Sequence, residues 1–221
     1  MTSFPGSPKL VRGGLVSLDP TTGRLLRVIA LQYNPDTVTR TLQPQGIGAE
    51  PGDRLEALRL KGPAHETIKL EAELDATDAL EHPDQNTVVA ENGLHPQLAA
   101  LELLIYPTSA SLIANDQRAG AGTIEIAAVE APLTVLVWGR RRVVPVRLTE
   151  FSVTEEAFDT MLNPTRVRVS LGLRVLSTDD LGFAHRGGAL YLLYQQQKER
   201  LATLSPSARL SDVGLTALPG G

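Results

Sequence analysis

"TRVRVSLGLRVLS", residues 165–177, decides the fold class. Val167, Val169, Leu171, Leu173 and Val175 fall on every second position, while Arg166, Arg168, Ser170 and Arg174 fill the alternate ones. Side chains of an extended chain alternate between two faces, so this run reads as a strand with one apolar and one charged side. The protein is therefore β-rich.

Just upstream stands Asn163-Pro164, in "MLNPTRVRVSL" (161–171), and an earlier segment, "QYNPDTVTRTL" (32–42), echoes it with Asn34-Pro35. Two readings compete for a doubled Asn-Pro before a strand. The asparagines can orient a substrate, or the pairs can serve geometry. The geometric reading is preferred: proline fixes its own φ and extends the residue before it, and an asparagine side chain closes turns on nearby backbone.

Further strands follow from the same pattern. "LVSLDPTTGRLLRVIALQY" reads as a hairpin with a turn at 19–23 and a second strand reaching Tyr33. "ETIKLEAELD" places Ile68, Leu70, Ala72 and Leu74 on one face. "LTVLVWG" and "RRVVPVRLTEFSVTEEAF" are joined by a tight turn near Gly139, and the apolar phase changes near Glu150, which predicts a bulge. "TIEIAAV" (123–129) reads as a short strand and "QPQGIGAEPGD" (43–53) as an exposed loop. Helices are expected at 95–105, with Pro96 in the first turn, and over "GGALYLLYQQQKERLATL", with Leu190, Leu193, Leu201 and Leu204 near one stripe. Thr77 and Thr178 are the expected N-caps of two short helices that follow strands. Residues 1–9 read as a flexible arm, 10–176 as one β domain, and 177–221 as a helix with a Pro/Gly tail.

The totals narrow the chemistry. The chain has 221 residues, 42% of them hydrophobic, a net charge of -4 and no cysteine, so disulfides, thiol catalysis and cysteine-ligated zinc are excluded. Its four histidines show no ligand spacing, and no cofactor is expected. The acidic balance argues against nucleic-acid binding, and no apolar run reaches membrane-spanning length. The opening "MTSFPGSPKLVRGG" lacks a signal-peptide core, so a cytoplasmic location is expected.

Three clusters invite chemistry. Asp75, Asp78 and Glu81 lack the calcium-loop pattern and suit capping. Glu155, Glu156 and Asp159 could serve a small carboxylate-dependent hydrolase, but "TEEAFD" reads as a solvated turn. Arg140, Arg141 and Arg142 beside Trp138 could form a surface or nucleic-acid-binding patch, though at a hairpin tip solvated or subunit-pairing arginines are the simpler reading. Catalytic fingerprints such as G-x-S-x-G or a P-loop do not occur.

The ordered set of Leu18-Asp19 to Gly23, "LQYNP" (31–35), "LDATDAL" (74–80), "GLHPQLAALELLIYP" (93–107), "GTIEI" (122–126), "APLTVLVWGRRRVVPVRLTEFSVTEEAFD" (131–159) and "LNPTRVRVSLGLRVL" (162–176) resembles the tube-type baseplate proteins of contractile injection systems. The N-terminal domain of that family often precedes a LysM module. The resemblance implies a tail-tube-like α+β barrel of two packed antiparallel sheets with a flanking helix and a C-terminal helix. It also implies a non-enzymatic role as a homo-oligomer, commonly a six-fold ring, between a spike or hub and the inner tube, beside baseplate or sheath proteins. The ring would template tube assembly and be incorporated into an injection particle. Assembly contacts would fall on Asn34, Pro35, Trp138, Arg140, Arg141, Arg142, Asn163, Pro164, Arg166, Arg168 and Arg174. Nothing after residue 176 fits the βααβ pattern of LysM, which leaves anchoring through such a module in doubt.

Overall fold

Seven strands in the computed structural model, which describes residues 10–46, 59–120 and 131–219, follow the period-two runs of the sequence. They are β1 (Gly14–Leu18), β2 (Leu25–Ala30), β3 (Val38–Gly46), β4 (Leu60–Asp75), β5 (Leu133–Val137), β6 (Val143–Phe158) and β7 (Pro164–Val175). All neighbours are antiparallel, in the order β2-β1-β5-β6-β7-β4-β3. The helices are α1 (Thr77–Leu80), α2 (Thr87–Asn92), α3 (His95–Glu102), α4 (Ser109–Gly120), α5 (Thr178–Leu181) and α6 (Arg186–Ala202). The fold is thus the mixed α+β type that the patterning implies.

The expected pair of sheets is joined into one, and the length of β6 is the reason. Its first residues, Val143 to Val146, pair with β5, and Val146 to Phe158 pair with β7, so one strand serves both halves. The ladder slips between Leu148 and Glu150, where the phase change predicted a bulge. Gly172 lies opposite: a Cβ there would sit 2.8 Å from that of Glu150, so only glycine lets β7 pass the bulge.

β7 runs through the middle of the sheet. Val167, Val169, Leu171, Leu173 and Val175 are buried, and Ile68, Leu70, Ala72 and Leu74 of β4 join them, with Leu15 and Leu136 from the other half in the same cluster. Each buried Val, Leu or Ile among them contributes about 1.5–3 kcal/mol of burial. Leu94, just before α3, and Leu98 and Leu101 within it join the cluster, and Leu94 N–H donates to the Pro164 carbonyl (2.8 Å).

Several local expectations shift by a few residues. β2 ends at Ala30, short of Tyr33. Residues 43–46 continue β3 instead of opening a loop, and 47–53 lie outside the described residues, as do the expected strand at 123–129 and the arm at 1–9. "TEEAF" belongs to β6 because β7 stays paired with it to Phe158. Capping moves upstream: one position before Thr178, Ser177 accepts from Asp179 N–H and closes a capping box with Asp180, while two positions before Thr77, Asp75 accepts from the Thr77 N–H (2.8 Å). The stripe expected on α6 is also displaced. Gly187, Gly188, Tyr191 and Tyr194 are its buried face, and Leu193 and Leu204 are exposed.

The two sheet halves are tied where β2 and β4 end. Gln32 Nε2 donates to the Asp75 carbonyl (2.7 Å), and Asp75 N–H donates to Gln32 Oε1 (2.9 Å). A side-chain amide here copies a backbone bridge. Gln32→Met keeps the volume but strands both Asp75 groups, and urea unfolding is expected to show a loss of about 1–2 kcal/mol.

Candidate assembly interface

Both Asn-Pro asparagines are occupied by backbone. Asn34 Oδ1 accepts from Gly13 N–H (2.8 Å) and its Nδ2 donates to the Val11 carbonyl (2.9 Å), stitching the chain before β1 to the β2–β3 connection. Pro35 follows at the start of that connection. Asn163 Nδ2 donates to Asp159 Oδ2 (2.9 Å) and the Glu91 carbonyl (3.3 Å), and Pro164 is buried as the first residue of β7. The geometry fits the turn role, with the side-chain NH2 of both asparagines committed to neighbouring chain.

The charged face of β7 is a lattice within one chain. Arg166 pairs with Asp75 (2.9 Å), and Arg168 with Glu71 (3.0 Å) and Glu156 (3.2 Å). Arg174 pairs with Asp180 (2.6 Å), and Lys69 with Glu150 (2.7 Å). These half-exposed pairs are worth about 0–1 kcal/mol each, so they set cross-strand register more than stability. β7 is flanked on both sides, by β4 and β6, so it has no edge to offer a neighbour.

The Trp138–Arg142 turn is closed by Trp138 N–H donating to the Arg142 carbonyl (2.7 Å), with Gly139 at φ +70°. The indole packs beside Gly13, where a Cβ would meet its ring. Arg142 is half-buried, whereas Arg140 and Arg141 are exposed and make no ion pair among the described residues. Two free cations make a small footprint for a nucleic acid.

The carboxylates considered for hydrolysis do not converge. Glu155 is exposed on β6. Asp159 braces the β6–β7 turn, accepting from Met161 and Asn163 N–H (both 2.8 Å). Hydrogen bonds from the Asn163 side chain and backbone hold its carboxyl below the usual range, the opposite of a raised general acid. A shallow cleft of about 430 Å³ contains Glu73, Asp75 and Glu156, but Arg166 and Arg168 share it and pair with all three. Among the described residues no group of three or more His, Cys, Asp or Glu is placed to hold a metal, and no helix is long and apolar enough to cross a membrane.

Three features escaped the sequence reading. The first is the pair of sheet edges. β3 is interrupted by Pro44 and two register irregularities, devices that blunt an edge. β2, the other edge among the described residues, carries one irregularity, with Leu26 extra to the β1 ladder, and Leu25 (56% exposed), Leu26 and Val28 (59%) lie open along it.

The second is the β6–β7 tip, where Met161 (80% exposed) and Leu162 (76%) stand clear of the core. Leu162 has φ +63°, a left-handed conformation that costs a non-glycine residue about 1–2 kcal/mol.

The third is Glu66, only 3% exposed on the inward phase of β4. It accepts from Arg40 Nε (2.8 Å), Tyr194 Oη (3.0 Å) and Lys198 Nζ (3.0 Å). The Lys198 ammonium also lies 4.0 Å from the Tyr194 ring centroid. A charge in phase with Ile68 and Leu70 was the available signal. Burial pushes the Glu66 carboxyl up, but Lys198 and Arg40 together outweigh it and hold it below its ordinary value of 4.5. Burial and the Glu66 charge push the Tyr194 phenol up to about 12.

No known protein-family model matches the chain, and no curated protein matches it either.

Because the folded carboxylate is depressed, the Glu66 cluster stabilises fully above pH ~4.5 and loses its contribution as pH falls through the folded pKa. Glu66→Gln should cost about 2–3 kcal/mol at pH 7, reduced from a fully buried pair because Arg40 and Lys198 keep some water. The same variant should flatten the acid limb of a stability–pH curve measured by thermal unfolding.

Proposed function

We propose that this chain is a non-enzymatic building block of a phage-tail-like contractile injection system, a baseplate ring that joins the spike or hub to the inner tube. The observation that carries the reading is the apolar β2 edge, where Leu25, Leu26 and Val28 lie open with a single ladder irregularity, while the opposite edge among the described residues, β3, is interrupted by Pro44 and two irregularities. A monomer with no partner gains nothing from such an edge and risks aggregation. Seating the β2 edge of each copy on a second, different surface of the next, and closing the series as a ring of about six, removes the liability. The ordered sequence resemblance supplies the machine; the edge supplies the physical means.

Each contact in an obligate ring of this kind buries about 2,000 Å² or more. Baseplate or sheath proteins would abut the ring, and the tube protein would stack on it. Assembly would occur in the cytoplasm before the particle is complete.

Native mass spectrometry and electron microscopy of the purified chain, alone and with its tube and spike proteins, test the reading. A closed oligomer is expected. Leu26→Lys/Val28→Lys should leave a folded monomer, since both positions are exposed, and should abolish the ring. A chain that stays monomeric in every mixture overturns the proposal.

A further inference from the structure

Resting on the building-block reading, we infer that the β6–β7 tip of one copy inserts Met161 and Leu162 into an apolar cleft at the other end of the same hairpin on a second copy. The tip is built to present these side chains. Asp159 ties the turn through two backbone amides and the Asn163 amide, and Asp159 N–H closes it on the Asn163 carbonyl (2.9 Å). Within that rigid frame Leu162 keeps a left-handed backbone that glycine or asparagine would adopt more readily, yet its side chain packs on nothing in its own core.

A receptor exists on the same molecule. A cleft of about 360 Å³ opens where β5, the start of β6 and α5 meet, lined by Ile105, Leu133, Val146, Leu148 and Leu181. Since a cavity of ~150 Å³ accommodates a benzene-sized group, this one has room for both tip side chains. Charge also matches. Exposed Arg147 stands at the cleft and exposed Glu155 near the tip, and neither has an ion-pair partner among the described residues. Val146 and Phe158 mark the two ends of the paired hairpin, roughly 40 Å apart by strand rise. No copy can therefore fill its own cleft. The contact is head-to-tail along the strands, a direction different from edge pairing, and it is heterologous, so it propagates or closes with the assembly's symmetry.

The cysteine-free chain permits a clean test. Leu162→Cys and Ile105→Cys are made separately, mixed and oxidised, and the double variant is oxidised alone. A disulfide heterodimer from the mixture and a covalent ladder from the double variant are expected. No cross-link, or efficient self-linking of Leu162→Cys alone, overturns the tip-to-cleft contact. Met161→Ser/Leu162→Asn should raise or preserve the midpoint of monomer unfolding while weakening association at least tenfold, and unchanged association overturns the inference. Repeating the cross-linking in the Leu26→Lys/Val28→Lys background separates the two ideas. If that edge variant dissolves the ring and the tip variant does not, the tip contact alone fails. If the unmodified chain never associates, the building-block reading fails with it.

Discussion

A carboxylate cut off from water persists as an anion only if cations are brought to it, and Glu66 draws them from two distant segments. Arg40 comes from the outer strand β3 and Lys198 from α6, and the Tyr194 hydroxyl completes the coordination. The inward charge thus fixes three things together: the phase of β4, the attachment of its outer neighbour, and the face that α6 turns to the sheet. Replacing Glu66, Arg40 and Lys198 together with well-packed apolar residues would be neutral or stabilising, as buried ion pairs often show, whereas removing the acid alone strands both cations. What the charged version adds is selectivity, since only one docking of α6 brings its lysine and tyrosine to that oxygen.

The distribution of charge over the sheet follows a similar economy. In the middle, acids of β4 and β6 answer the arginines of β7, so the broad polar face is neutralised across strands within one molecule. At the margins the chemistry is different. β2 leaves Leu25, Leu26 and Val28 exposed, β3 is interrupted, and the β6–β7 tip holds two hydrophobic side chains in the open. A surface with its centre satisfied and its margins unsatisfied is suited to meeting other proteins at those margins.

Most of the fold was legible because β4, β6 and β7 alternate cleanly and a bulge leaves a visible phase change. The joining of two sheets through β6 was not, since pairing partners are non-local and a long strand looks the same whether it serves one neighbour or two. The helix faces were misjudged for a physical reason: α6 turns glycines and tyrosines inward, so close approach and hydroxyl chemistry, not leucine burial, choose its orientation. The arginines of β7 read as outward, which they are, but their partners sit on strands far away in sequence. Edge status has the same origin. Whether Leu25 and Val28 border water or another strand depends on the order of the whole sheet.

That order has a consequence for biogenesis. β1 receives its second neighbour, β5, only after more than half of the polypeptide has been made, and β4 waits for β7. Long-range closure of this sort is slow compared with the local β6–β7 hairpin. On a ribosome, the first hairpin emerges with one flank still lacking β5 and the other flank, β2, bare. The β1 flank stays unpaired until β5 arrives, so the growing chain carries an open strand edge through more than half of its synthesis.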